Sequence, residues 1–111
     1  MVASAEIVFE ISGNAYRSCY QYLQMAVGIA HEHLPTQLSM KEISDKVVAQ
    51  LNATQSSDSV ARALARATED AWDHGGRQVL ESKYGFRCKP TPKELIFKLA
   101  RSITRPMESQ H

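Results

Sequence analysis

Apolar residues recur every three or four positions along most of the 111-residue chain. Side chains with this spacing share one face of a helix, so the pattern predicts amphipathic helices. Four segments carry it most clearly, and their apolar stripes are Tyr16, Cys19, Tyr20, Leu23, Val27 and Ala30 in 16–33; Ile43, Val47 and Leu51 in 41–51; Val60, Ala63, Leu64, Ala67 and Ala71 in 57–74; and Leu95, Ile96, Leu99 and Ile103 in 92–105.

Two shorter segments complete the predicted architecture. Residues 5–11 are an apolar stretch that fits either a strand or a helix, and we predict a helix because no second strand-like run is present to pair with it. Residues 77–84 predict a short helix that stops at Gly85. The chain is therefore predicted to be a single all-α domain, 1–111, of about six helices.

Local signals indicate where these helices begin and end. The capping-box pattern occurs twice, as Ser39 with Glu42 and as Thr91 with Glu94, the second with Pro92 in the first turn. Ser57 or its neighbour is predicted to cap segment 57–74, and Gly75 and Gly76 to end it with a glycine in the left-handed conformation. Pro106 is predicted to end the last helix, about 92–105, and to leave a polar tail, 106–111.

Composition and charge restrict the function classes. The chain has 43% hydrophobic residues, 23% charged residues and a net charge of +1, values of an ordinary globular protein. Residues 77–105, however, carry eight basic and two acidic side chains, and such a surface can attract phosphate. Two isolated cysteines do not make a disulfide framework or a zinc site. The sequence has no signal peptide and no apolar run of the roughly 20 residues that span a membrane, so the protein is predicted to be cytoplasmic and to bind no membrane. No metal site and no cofactor are predicted.

The candidate chemistry lies in the middle of the chain. Segments 41–51 and 57–74, separated by a polar turn, have the order of a helix-turn-helix, predicted over about 40–75. In that motif the second helix enters the major groove and presents its N-terminal half to the bases. That half carries Arg62 and Arg66 one turn apart, and arginine can bind guanine or phosphate through paired hydrogen bonds.

Two other interpretations of these residues remain open at the level of sequence. Arg66 could pair with Glu69 or Asp70 along a solvated helix face, and the acidic residues toward the end of the helix disfavour deep contact with DNA there. The same scaffold would also suit an interaction or dimerisation module that does not bind DNA. No nucleophile elbow or phosphate-binding glycine loop is present, so no enzyme is predicted.

Two separated motifs carry a family resemblance. Residues 60–75, VARALARATEDAWDHG, resemble the V-x-R-A-I-x-x-A-x-E-x-A-W-x-x-G signature of the C-terminal DNA-binding effector domain of the sporulation initiation response regulator, stage zero sporulation protein A. Residues 84–86 and 89–96 are similar to that family's F-G-Y and K-P-T-x-x-E-F-I stretches. The resemblance extends over roughly 5–105 and is specific over 60–96.

The resemblance implies a six-helix transcription regulator with a central helix-turn-helix. Its implied partners are double-stranded DNA and a second subunit of the same kind, as a homodimer on tandem sites. Family members also carry an N-terminal receiver domain for which this chain has no room, so a stand-alone effector domain is expected.

Carried over position by position, the family's base-contacting arginine falls on Arg62. Its second contact arginine falls on Ala65, and a contact histidine falls on Arg66. Losing one bidentate arginine removes about 1–3 kcal/mol of base discrimination, so this chain is not assumed to share the family's target sequence. The predicted DNA-binding residues are Ser57, Ser59, Arg62, Ala65, Arg66, Lys89 and Lys93. Among them, Arg62 and Arg66 are predicted to contact bases, and the others to contact phosphate or to flank these two arginines.

Overall fold

A computed structural model describes residues 2–11, 17–34, 36–51 and 56–108, with side chains described over 7–11, 18–34, 36–51 and 56–103. These residues form six α-helices and no strand, which confirms the predicted all-α class. The helices are α1 (Val2–Ile11), α2 (Arg17–His33), α3 (Met40–Leu51), α4 (Ser57–His74), α5 (Arg77–Ser82) and α6 (Pro92–Glu108).

Helix α2 lies at the centre of the fold and contacts α1, α3, α4 and α6. Its sequence explains this position, because apolar residues occupy most of its circumference and a helix of that kind must be buried on several sides. Its buried residues are Cys19, Tyr20, Leu23, Ala26, Val27, Ile29 and Ala30. The predicted stripe is confirmed from Cys19 onward, and Tyr16 lies outside the described residues.

The other apolar stripes also face the core. Ile43 and Val47 of α3 are fully buried, as are four residues of the predicted stripe of α4. Leu51 of α3 and Ala63 of α4 are half-buried at the edge of the core. In α6 the buried set is Leu95, Ile96, Phe97, Leu99, Ala100 and Ile103. Burying one such large aliphatic side chain stabilises the fold by roughly 1.5–3 kcal/mol, so these stripes hold the six helices together.

Both predicted capping boxes form. At α3 the amide of Ser39 donates to Glu42 Oε1 over 2.8 Å, and the amide of Glu42 donates to Ser39 Oγ over 3.1 Å. At α6 the amide of Thr91 donates to Glu94 Oε1 over 2.9 Å, and the amide of Glu94 donates to Thr91 Oγ1 over 3.1 Å. Each box satisfies amides that the first helical turn leaves without partners, so both helix starts are set locally.

Two helix ends differ from the prediction. Helix α5 ends at Ser82 rather than Tyr84, and the chain then turns through Gly85, whose φ of +77° is the left-handed conformation that favours glycine. Helix α6 continues to Glu108, past the end predicted at Pro106. A proline removes only its own amide from the helical hydrogen bonds, so helical backbone can continue beyond it at a cost in stability.

The glycines after α4 act differently from the prediction. Helix α4 does end at His74, but Gly75 has φ −117° and Gly76 has φ −90°, so the left-handed conformation predicted there is wrong. Gly76 instead lies directly against the end of α1, where its amide donates to the carbonyl of Ile11 over 3.1 Å. A Cβ atom at Gly76 would lie 2.7 Å from Ile11 Cα, so close approach of the two backbones explains this glycine.

Candidate nucleic-acid interface

The start of α4 is set by a serine cap. Ser56 precedes the helix in an extended conformation, and its Oγ accepts from the amide of Ser59 over 3.1 Å. Serine is among the best residues at this position because its short side chain reaches back to the free amides of the first turn. The cap is therefore the neighbour of Ser57, within the predicted pair.

Helix α4 is packed between α2 and α3, and this packing determines which of its faces remains open. Val60, Leu64, Ala67 and Ala71 are fully buried on the inner side. The predicted turn between α3 and α4 lies largely outside the described residues, which omit 52–55. The helix-turn-helix therefore stays a prediction, whereas the packing of α3 against α4 is observed.

Arg62, Ala65 and Arg66 are exposed on the outer face of α4. The interpretation in which Arg66 pairs with Glu69 or Asp70 is not observed. Within the described part of the chain, neither guanidinium group forms an ion pair or a side-chain hydrogen bond. Two cationic groups, four residues apart and about 6 Å along the helix axis, are thus presented to solvent.

The two predicted serines are already engaged within the protein. Ser57 Oγ donates to Asp45 Oδ1 of α3 over 2.7 Å. Ser59 Oγ accepts from Ser56 Oγ over 3.1 Å, while its amide is bound by the cap. Both are half-buried, so their first role is to fix the start of α4.

Two of the carboxylates near the end of α4 are engaged by residues that are distant in the sequence. Asp70 Oδ2 accepts from the hydroxyl of Tyr20 over 2.5 Å, which turns this carboxylate toward α2. Asp73 Oδ2 lies 3.2 Å from Lys89 Nζ in an exposed ion pair. Glu69 and Asp58 remain exposed on the same side of the helix as the arginines. Sequence reasoning missed Asp58, although its position four residues before Arg62 was a visible signal.

Lys89 and Lys93, the two predicted contacts outside α4, lie in different surroundings. Lys89 is joined to the end of α4 through Asp73, which brings its charge next to the exposed face of α4. Lys93, on the first turn of α6, lines a separate groove that neither Arg62 nor Arg66 borders. The structure thus brings Lys89 close to α4 and places Lys93 at the separate groove.

Further features limit the chemistry of this surface. Over the described side chains, no group of three or more His, Cys, Asp or Glu residues is arranged to hold a metal ion. None of the helices in the described ranges is long and apolar enough to cross a bilayer. Trp72 and Tyr20 are buried in the core, so neither ring is exposed for stacking on a base.

No protein-family model matches the chain, so the likeness to the sporulation regulator rests on the motif residues themselves.

Proposed function

We propose that this protein is a sequence-specific DNA-binding regulator of transcription that inserts α4 into the major groove. The observation that carries the proposal is the presence of two exposed, unpaired arginines one turn apart, Arg62 and Arg66, on the outer face of a helix whose other face is fully packed. An α-helix fits the major groove, and arginine bound to guanine is the commonest specific contact there.

The spacing of the two arginines suits base pairs that are about two positions apart. Their separation of about 6 Å along the helix compares with about 3.4 Å per base pair along the duplex. Arg62 and Arg66 would therefore contact positions roughly two base pairs apart. Ala65 lies between them, and its methyl group is suited to apolar contact with the methyl group of thymine.

Contacts to phosphate would surround these readers. The first turn of α4 supplies amides and the positive end of the helix dipole, with Ser59 beside them. The Ser57 hydroxyl contributes indirectly, since its bond to Asp45 orients the helix. Lys89 can turn from Asp73 to a phosphate at small cost, because exposed ion pairs stabilise proteins by only about 0–1 kcal/mol. Lys93 would add a more distant contact of the same kind.

The test uses duplexes selected from a random pool and measures affinity by fluorescence anisotropy as salt is varied. We expect Arg62→Ala to cost about 1–3 kcal/mol and to relax preference at one base pair. Arg62→Lys keeps the charge but loses the paired geometry, so it should keep the salt dependence and lose discrimination. Arg87→Ala, which removes an exposed arginine outside α4, should leave base preference unchanged. Equal affinity and preference for Arg62→Ala and the unaltered protein would refute the base-reading role.

A second candidate function is an interaction module without DNA binding. Asp58 and Glu69 flank Arg62 and Arg66 on one exposed face of α4, and this favours the second function because charges of both signs can pair with complementary charges on a second protein. Self-association in sedimentation, together with no binding to any duplex at low salt, would select this function.

A further inference from the structure

A second surface feature lies on α6, away from the arginines of α4. It is an open groove of about 290 Å³ between the first half of α6 and the segments that precede α3 and α6. Phe97 is buried and Phe86 is half-buried, and both line the groove as an aromatic surface. Phe86 is held in place from behind, because its amide donates to the carbonyl of Leu80 over 3.1 Å. The groove therefore has an apolar floor set by the fold.

The rim of this groove is cationic. Lys93, Lys98 and Arg101 line it together with a single carboxylate, that of Glu94. Glu94 is engaged in the capping box of α6, where its Oε1 accepts from the amide of Thr91. Its charge is therefore fixed at one end of the groove, while Lys98 and Arg101 lie one and two turns farther along the helix. In a chain with a net charge of only +1, this is a local concentration of positive charge.

The combination of floor and rim favours an acidic peptide over the other anionic ligands. A nucleic-acid backbone gains nothing from two aromatic side chains at the bottom of a groove, and its evenly spaced phosphates cannot all avoid the fixed Glu94 carboxylate. A peptide can place its carboxylates beside Lys98 and away from Glu94. The volume is at the small end for sites that enclose a small molecule, about 300–1,000 Å³. A protein segment that inserts one apolar side chain and places carboxylates on either side satisfies both parts of the surface.

We propose that this groove binds a short acidic segment of a partner protein, with one apolar side chain against Phe86 and Phe97 and a carboxylate paired with the exposed Lys98. The positive charge of the rim carries the choice of partner, since its one carboxylate, that of Glu94, is engaged in the capping box. This inference does not depend on the DNA-binding proposal, since it uses neither α4 nor its arginines. For a transcription regulator, such a groove would provide a contact with a second protein while DNA is bound.

The experiment uses the full chain and a fluorescein-labelled acidic peptide that contains a single phenylalanine. Two further peptides serve as probes, one with every acidic residue replaced by its amide and one with the phenylalanine replaced by serine. Binding is measured by fluorescence anisotropy at low ionic strength, and amide chemical shifts locate the peptide on the protein. The protein variants are Lys98→Glu, Lys98→Arg and, as the matched control, Lys46→Glu, the same charge change at an exposed position of α3 outside the groove.

We expect Lys98→Glu to weaken peptide binding by about five- to tenfold, because an attractive charge pair becomes a repulsive one. Lys98→Arg and Lys46→Glu should stay within about twofold, both altered peptides should bind more weakly, and the shifts should cluster at Lys98, Arg101 and Phe86. The selected duplex from the preceding experiment should bind Lys98→Glu with unchanged base preference, which separates the two proposals.

Four outcomes would overturn the proposal. The first is failure of the acidic peptide to bind at low salt. The second is equal weakening of binding by Lys98→Glu and Lys46→Glu, which would indicate unspecific charge attraction. Loss of duplex affinity in Lys98→Glu with no loss for the peptide would identify phosphate as the ligand. A dimer that dissociates in Lys98→Glu would identify a second copy of the chain as the occupant.

Discussion

The hydroxyl of Ser57 donates to Asp45 Oδ1 over 2.7 Å and so joins the first residue of α4 to the outer face of α3. The hydrogen bond from Ser57 is the main reason why the pKa of Asp45 lies below its ordinary value, and the nearby charge of Lys41 lowers it further. Because α3 and α4 are the two helices of the predicted DNA-binding motif, this bond adds a polar contact to the apolar packing that holds the arginine-bearing helix in place.

Removing the hydroxyl should therefore change the titration of Asp45. In Ser57→Ala we expect the pKa of Asp45 to rise toward the ordinary aspartate value, as measured by carboxylate chemical shifts in an NMR titration. A folded-state pKa below the unfolded one stabilises the protein at neutral pH, and this contribution is lost as the pH falls through the folded value. Lys41→Ala is the control and should raise the pKa less. An identical Asp45 titration in Ser57→Ala and the unaltered protein would contradict the assignment.

The close approach of Gly76 to α1 predicts a specific intolerance. A Cβ atom there would lie 2.7 Å from Ile11 Cα and 2.9 Å from the carbonyl oxygen of Glu10, and backbone atoms cannot move aside as a flexible side chain can. We expect Gly76→Ala to lower the free energy of unfolding by about 1–3 kcal/mol in urea denaturation. The exposed Gln78→Ala, in the helix that follows, should change it by less than about 0.5 kcal/mol. Equal stability of the two variants would show that α1 can shift without cost.

A cation–π contact joins α4 to α5, the two helices on either side of Gly75 and Gly76. The guanidinium carbon of Arg77 lies 4.7 Å from the ring centroid of Trp72, the single tryptophan of the chain. We expect Arg77→Ala to cost about 0.5–1 kcal/mol of stability and to shift the tryptophan emission to longer wavelength, since the ring becomes more exposed. Arg77 also pairs with Glu81, so Glu81→Gln is the control that removes the ion pair alone. A loss as large in Glu81→Gln as in Arg77→Ala would assign the stability to the ion pair instead.

Substitutions in the ion pair between Asp73 and Lys89 are expected to change the affinity for duplex DNA while leaving Arg62 and Arg66 unaltered. Asp73→Asn should raise affinity for every duplex alike at low salt, because it removes a carboxylate from the last turn of α4 and releases Lys89. Lys89→Ala should lower affinity for all sequences and reduce the salt slope by about one. Glu32→Gln, an equal charge change at an exposed position of α2, is the control. A change of base preference in either pair variant would mean that the pair acts on the recognition helix itself.

Much of the helical architecture could be predicted because its causes are local. The apolar period and the two capping boxes involve residues three or four positions apart, and such residues meet whenever a helix forms. The surface position of Arg62 and Arg66 followed from the same reasoning, since a stripe centred on Val60, Leu64 and Ala67 leaves the opposite face to solvent.

Only the tertiary structure could decide the contacts between distant parts of the chain. The periodicity of α4 could not reveal that Asp70 turns to Tyr20, fifty positions away, or that Asp73 meets Lys89. Nor could it reveal that Gly76 faces the end of α1, or that Phe86 and Lys98 line one groove. The pattern of a helix determines which of its faces is buried, whereas the identity of the neighbour depends on how all six helices pack at once.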